Sequence, residues 1–249
     1  MKKSFIVTVM TFLFSTGMAF ASGSNTVHWG YKGPGSPENW GTISPAYATC
    51  GVGTEQSPID ISQEDGVTDA VQTNYSATAL NVLNNGHTIQ LNYAAGSTLQ
   101  SAGQHYDLLQ LHFHSPSEHT INGKSYPLEM HLVHKAQDGT LAVVGVMFEE
   151  GAENAELAKI WQDMPKKAND VVTSSTQVDA NNLLPANQAF TRYDGSLTTP
   201  PCSEGVKWHV MSSPLQVSKK QVKEFLSRVH ENARPVQPLN GRKLLKHTP

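Results

Sequence analysis

The sequence predicts one mainly β domain with a few short peripheral helices. Three observations carry that prediction. Short apolar runs separated by turn signals follow one another from about residue 66, only two stretches have helical spacing, and no linker divides the chain. Its 249 residues would suit one or two domains by length, so the missing linker decides for one.

The elements read in order as follows. Met1-Lys2-Lys3 is a positive start, Phe5 to Phe14 is apolar except for Thr8 and Thr11, and Ala19-Phe20-Ala21 is a small-residue cleavage pattern. Residues 1–21 are therefore expected to be an export signal cut after Ala21, leaving a mature domain over 22–249. The apolar stretch, interrupted by Ser4, Ser15, Thr16 and Gly17, falls short of the roughly 20 residues of a membrane span. The expected location is the periplasm or the medium, with no membrane contact after cleavage. Residues 23–60 are rich in Gly, Pro and aromatic residues and read as an irregular, packed entry segment. Strands are expected at Ala79–Asn84 before Asn85-Gly86, Ile89–Tyr93, Asp107–His114, Leu128–Lys135 before Asp138-Gly139, and Leu141–Phe148. Helices are expected at Ala152–Met164, with Leu157, Ile160 and Trp161 on one stripe, and at Ser218–Val229. The second opens with a Ser218/Gln221 capping box and aligns Val222, Phe225, Leu226 and Val229.

Charge excludes some functions. Lys and Arg number 18 against 21 Asp and Glu, so no basic surplus favours nucleic acid. Cys50 and Cys202 are the only cysteines. An even count in an exported chain favours a disulfide, with two buried free thiols as the alternative.

Eleven histidines are the unusual count, and histidine is both the commonest metal ligand and the proton carrier near neutral pH. In Leu109-Gln-Leu-His-Phe-His-Ser-Pro-Ser-Glu-His-Thr, His112 and His114 lie two apart in a strand, so both point to one face. One His-x-His pair is weak evidence. In Leu128-Glu-Met-His-Leu-Val-His-Lys, Glu129 and His131 share a face while His134 takes the other. If the two strands pair antiparallel, His131 completes a three-histidine cluster. Three His around Zn²⁺ leave one tetrahedral position for water, the pattern of a catalytic zinc site. Gln110 and Glu129 on the same faces could orient the outer imidazole nitrogens.

These pieces, with His28-Trp-Gly-Tyr31, Gln56-Ser-Pro-Ile-Asp60, Asn84-Asn-Gly-His87, Leu141-Ala-Val-Val-Gly145, Tyr193-Asp-Gly-Ser-Leu-Thr-Thr-Pro-Pro-Cys202 and Asn232-Ala-Arg-Pro-Val-Gln-Pro-Leu239, give the chain its resemblance. It resembles an α-class carbonic anhydrase of the bacterial, exported type, over nearly the whole mature chain.

The resemblance implies a twisted, mostly antiparallel sheet of about ten strands with zinc at the base of a conical cleft. It puts His112, His114 and His131 on the ligand positions, and implies that zinc-bound hydroxide attacks CO₂ to give bicarbonate. Thr198 falls on the hydroxyl that accepts from that hydroxide, and Glu118 on the carboxylate to which Thr198 donates. Val133, Val143, Leu197, Val206 and Trp208 map onto the apolar CO₂ pocket. Thr199 falls on the bicarbonate side, His87 on the proton shuttle, and Tyr31 and Asn85 on the groups holding connecting waters. Sulfonamides and small anions are implied as ligands of the zinc, ester hydrolysis as a side activity, and a homodimer as a common state. His105, His119, His134 and His209 read as structural. Compared with vertebrate members, Gln90 stands for an Asn, Ala233 and Lys135 each for a Trp, and Ser115-Pro116-Ser117 is a shorter connection.

Two other readings use the same residues. His112-x-His114-x-x-x-Glu118 is similar to the first metal motif of cupins, but Pro127-Leu-Glu-Met-His131 lacks the Gly of the second. A catalytically weak, carbonic-anhydrase-like binding domain would be expected to have lost a ligand His, and all three are present.

Overall fold

The alternation of apolar and polar residues becomes one large sheet in the computed structural model, which describes residues 28–249. The expected signal at 1–21 lies outside the described residues. Strands β1 (Asp60–Ile61), β2 (Gly66–Val67), β3 (Gln72–Asn74), β4 (Thr78–Asn84), β5 (Ile89–Asn92), β6 (Thr98–Ser101) and β7 (Gln104–His114) come first. They are followed by β8 (Thr120–Ile121), β9 (Leu128–Lys135), β10 (Leu141–Glu150), β11 (Val171–Val178), β12 (Phe190–Ser196), β13 (Glu204–Met211), β14 (Leu215–Val217) and β15 (Leu245–His247). The order β11-β4-β5-β7-β9-β10-β13-β12-β15-β2 is continuous, β3, β6 and β14 join it to make 13 strands, and β1 pairs separately with β8. Most pairings are antiparallel, but β10 runs parallel to β13 and β14, and β15 to β2. The sheet is thus the mostly antiparallel one expected, and its continuous path has the expected size.

Four α-helices flank it: α1 (Trp40–Ile43), α2 (Thr49–Val52), α3 (Ala155–Gln162) and α4 (Lys219–Val229). Helix α3 starts three residues after the expected Ala152 because Asn154 caps it, accepting from the backbone of Glu156 and Leu157. Helix α4 begins at the capping box read from sequence, with Ser218 and Gln221 each bonding the other's backbone. Among the described residues no helix is long and apolar enough to cross a membrane.

A bulge in β7 sets the faces of the sheet. Asp107 and Leu108 pair with Lys135 and His134, but Gln110 pairs with Val133, so Leu109 is an extra residue. Before it the buried positions are Tyr106 and Leu108; after it they are Leu111 and Phe113. One added residue moves every later side chain to the opposite face. Leu111 and Phe113 join Met130 and Leu132 in the larger core, while Gln110 and His112 turn toward the other side. There a smaller cluster holds Val143, Val206, Trp208 and Tyr193, with Val133 and Leu197 against it.

Cys50 and Cys202 form a disulfide across 152 residues. It packs with buried Trp40, beside Trp29 and Tyr31. Closing so long a loop is worth about 5 kcal/mol on a chain-entropy model. We expect the double Cys50→Ser/Cys202→Ser variant to lose up to about that much in urea unfolding. A loss below ~1 kcal/mol would show that the crosslink does little for the folded chain.

His134 and His209 occupy the core, as their structural reading expects. His134 bonds the Tyr75 hydroxyl and the Ala142 carbonyl. His209 bonds Ser101 Oγ at 2.9 Å, and burial, with Arg192 and His134 adding to it, pushes its pKa down to about 3. Below the ordinary histidine value of about 6.5 the unfolded chain takes a proton that the folded chain refuses. Stability from this site is therefore present above pH ~6.5 and lost as pH falls toward the folded value. Between pH 6.5 and 4.5, His209→Leu should lose about 2 kcal/mol less than wild type. Parallel pH curves for the two proteins in denaturant titrations would rule this out.

Candidate active site

Strands β7 and β9 place His112 directly opposite His131 and His114 opposite Glu129. The three rings cluster, with centroids 5.1 Å (His112–His114), 5.2 Å (His112–His131) and 4.7 Å (His114–His131) apart. Their ligand atoms lie within 4.8 Å of one another.

Each ring has one nitrogen committed. His112 Nδ1 donates to Gln110 Oε1 at 2.9 Å, His114 Nδ1 to the Asn232 carbonyl at 2.8 Å, and His131 Nε2 to Glu129 Oε1 at 2.7 Å. The opposite nitrogens, Nε2, Nε2 and Nδ1, are left to converge. His114 Nε2 is buried without a partner. Burial holds all three below the ordinary histidine value, His114 at about 4, so each is neutral and able to donate a lone pair to a metal. The donor set fits a zinc ion with one position open.

His119, Glu129 and His131 form a second cluster of possible ligands, but its atoms are already used. Glu129 Oε1 accepts from His119 Nδ1 and His131 Nε2, both at 2.7 Å, and Oε2 accepts from the Glu118 and His119 amides at 2.8 and 2.9 Å. Burial pushes the Glu129 carboxyl up, yet His119 and His131 outweigh it and hold it well below the usual range. His119 Nε2 meets the Tyr193 hydroxyl at 2.7 Å, and Tyr193 meets Ser57 Oγ at 2.8 Å. Sequence reasoning did not connect His119, Tyr193 or Ser57 to the site. A Cβ at Gly195 would collide with Ser57 Oγ, so the glycine keeps this chain of bonds intact.

Glu118 is the opposite case. It is fully buried, its Oε1 accepts from the Arg234 amide at 2.9 Å, and Oε2 has no partner. Burial raises its carboxyl to about 7, against the pull of His131 and the Thr198 hydroxyl. Thr198 is thus a neighbour felt by the carboxyl, though no bond of regular geometry reaches Oε2. Thr198 lies in the segment between β12 and β13, where Cys202 N donates to the Thr199 carbonyl at 2.9 Å. Gln56 bonds the Cys202 carbonyl, and the buried Arg234 guanidinium bonds Gln56, Ser57 and Cys50. The disulfide, Gln56 and Arg234 together hold this loop.

A cavity of about 140 Å³ opens onto the histidines, lined by Trp29, Tyr31, Asn85, His87, Thr88, Gln90, Gln110, His112, His114 and Thr199. Tyr31 keeps a buried hydroxyl without a partner. Asn85 spends its Oδ1 on the amides of His87 and Thr88 at 2.9 and 2.8 Å, which leaves its amino group for other partners. The His87 ring stacks on Trp29, 3.7 Å between centroids and 7° from parallel. Burial, then the neighbouring His28, lowers its pKa. Of the five apolar residues named from sequence, Val143, Val206 and Trp208 are buried while Val133 and Leu197 keep some open surface. Trp208 stands 4.8 Å from His131, ring to ring. Tyr31, Asn85, His87, Gln110, His112, His114 and Thr199 thus share one cleft, and Trp208 of the apolar cluster stands beside His131. Asn232 and Arg234 were given no role; the segment 232–239 carries part of the resemblance, but their partners lie more than 100 residues away.

The sequence profile described as eukaryotic-type carbonic anhydrase matches residues 35–248. A carbonic anhydrase from Klebsiella pneumoniae is 48% identical over 223 residues, covering 88% of this chain and 91% of that protein. One from Nostoc sp. is 44% identical over 240 residues, covering 94% and 91%. The solved α-carbonic anhydrase of Thermovibrio ammonificans, in complex with the inhibitor sulfanilamide, superposes with a TM-score of 0.85 at 45% identity, covering 88% of this chain and 99% of that one. The chain belongs to the eukaryotic-type, or α, carbonic anhydrase family, zinc-dependent lyases that convert carbon dioxide reversibly to bicarbonate.

Proposed function

We propose that this chain carries out CO₂ hydration at a zinc ion held by His112 Nε2, His114 Nε2 and His131 Nδ1. The observation that carries the reading is that Gln110, the Asn232 carbonyl and Glu129 each occupy the other nitrogen of one ring. That commitment fixes the tautomers and aims the three remaining lone pairs at one point. When bound, zinc lowers the pKa of water from roughly 15.7 to about 7, making hydroxide available at neutral pH.

The chain's own residues do the rest. Thr198 donates its hydroxyl proton to Glu118, whose Oε2 has no other partner. A hydroxyl committed in this way offers only lone pairs, so it accepts from an oxygen that still carries a proton. Val133 and Leu197 line the open edge of the apolar cluster backed by Val143, Val206 and Trp208, where a small apolar substrate such as CO₂ loses less by leaving water. Thr199 lines the cleft beside them and holds the bicarbonate side. Sulfonamides and small anions bind at the same metal position. The Cys50–Cys202 disulfide supports a location outside the cytoplasm, in the periplasm or secreted.

Each turnover leaves a proton to remove, and His87 is its carrier. His87 lines the inner cleft and a larger outer hollow of about 430 Å³, shared with His28, Tyr31 and Lys32. It thus faces both the metal side and solvent. His87→Ala should lower kcat about tenfold or more in weak buffer, leave kcat/KM nearly intact, and recover with added imidazole. A kcat unchanged at low buffer would remove His87 from the route. The reading as a whole is tested by metal analysis and stopped-flow CO₂ hydration on one purified sample. One zinc per chain and hydration that disappears on chelation are expected; hydration that persists without zinc would overturn it.

A further inference from the structure

One buried amide joins two parts of the site that are far apart in sequence. Asn232 has no exposed surface, and every hydrogen-bonding atom it owns is used. Its main-chain carbonyl accepts from His114 Nδ1 at 2.8 Å, and its amide donates to the Ser115 carbonyl at 3.2 Å. Its Oδ1 accepts from Ser115 N at 2.8 Å. Its two Nδ2 protons go to the carbonyls of Phe113 and His87, each at 2.9 Å. This pattern admits one orientation of the side chain, because the reverse would set oxygen against two carbonyls and an amino group against an N–H.

The bonds divide between two jobs. Those to Phe113, His114 and Ser115 secure the end of β7, where the metal-side histidines sit. The bond to His87 secures the turn between β4 and β5. That turn is shaped from within by Asn84 and Asn85, whose Oδ1 atoms accept from Gly86, His87 and Thr88. Thr88 also donates its hydroxyl to the Phe113 carbonyl, so turn and strand end meet at the acceptor that Asn232 shares.

We propose that the Asn232 side chain is a positioning residue for the proton route, tying the His87 turn to the metal-side end of β7. Beyond the carbonyl that holds His114, its side chain fixes the His87 turn to the strand that carries His112 and His114. Together with the Thr88–Phe113 bonds, the Asn232 side chain then sets the separation between metal ligands and proton carrier. This inference rests on the reading of His114 as a ligand and His87 as the carrier, but its structural half does not depend on either role.

Asn232→Asp is the sharpest test, since it keeps the shape and the acceptor for Ser115 while replacing both donated bonds with an oxygen facing two carbonyls. In the metal-free variant, the amides of Gly86, His87 and Thr88 should exchange with solvent at least ~10-fold faster than in wild type. In the zinc-loaded variant the main-chain carbonyl still holds His114, so zinc should stay bound as in wild type. Its kcat in weak buffer should fall more than kcat/KM, with imidazole restoring it, and adding His87→Ala should lower kcat no further. A merely structural role would lower kcat and kcat/KM together and would not respond to imidazole. Where Asn232→Asp fails to fold, Asn232→Ala, which leaves room for water, carries the same measurements. Unchanged exchange at residues 86–88 would overturn the proposal, as would faster exchange with kcat in weak buffer unaltered while His87→Ala lowers it. An inert His87→Ala would instead remove the carrier reading, leaving the exchange result to decide whether Asn232 ties the turn to the strand.

Discussion

His131→Ala should give a folded chain that binds zinc at least ~100-fold more weakly and has lost nearly all CO₂ hydration. Removing an outer partner of a metal ligand costs about 10–100-fold in affinity, and removing the ligand itself exceeds that. The chain stays folded because Glu129, the buried group most exposed to the change, keeps three of its donors: the Glu118 amide, the His119 amide and His119 Nδ1. The lost bond costs about 1–3 kcal/mol, small enough for a domain of this size to withstand. Chelator competition and stopped-flow hydration on the variant are the measurements. Full zinc occupancy with full activity would sink the ligand assignment.

Thr198→Ala should retain zinc and lose kcat/KM by about 100-fold. The loss has the size seen when one positioned hydrogen-bonding group is removed from an active site. Thr198 contributes no ligand atom, so metal analysis should match wild type. The variant separates chemistry from architecture because Thr198 is buried beside Glu118 yet its loop is held by Cys202, Gln56 and Arg234 rather than by its own side chain. A normal kcat/KM accompanied by lower stability would show that the hydroxyl is only part of the packing.

Much of the architecture is legible in the chain. The strand at Leu128–Lys135 has the expected bounds, and helix α4 starts at the capping box that marks it. These features follow from period and local chemistry, which act over a few residues. The shared face of His112 and His114 is legible for the same reason. Helix α3 is shorter than the expected Ala152–Met164 because a cap at Asn154 decides where it begins.

Other features depend on contacts that no short window contains. The spacing of two shows that His112 and His114 point together, but not toward which side. The bulge at Leu109 turns them from the face of Tyr106 and Leu108 to the cleft. Glu129 reads as one more residue on a ligand face, and only the folded chain shows it saturated by four donors and therefore ionised inside the protein. Glu118, an equally buried carboxyl beside it, has one amide donor and is pushed up instead. Residue type is the same in both, so the difference lies in the number of donors that folding delivers. Asn232 and Arg234 belong to the same class, their partners lying 118 and 178 residues away. The primary structure settles which atoms are available and which neighbours share a face, since both are local. Their tautomers, ionisation and outer partners were decided by packing, because a hydrogen bond of about 2.8 Å is sensitive to how distant segments come together and indifferent to how far apart they are in the chain.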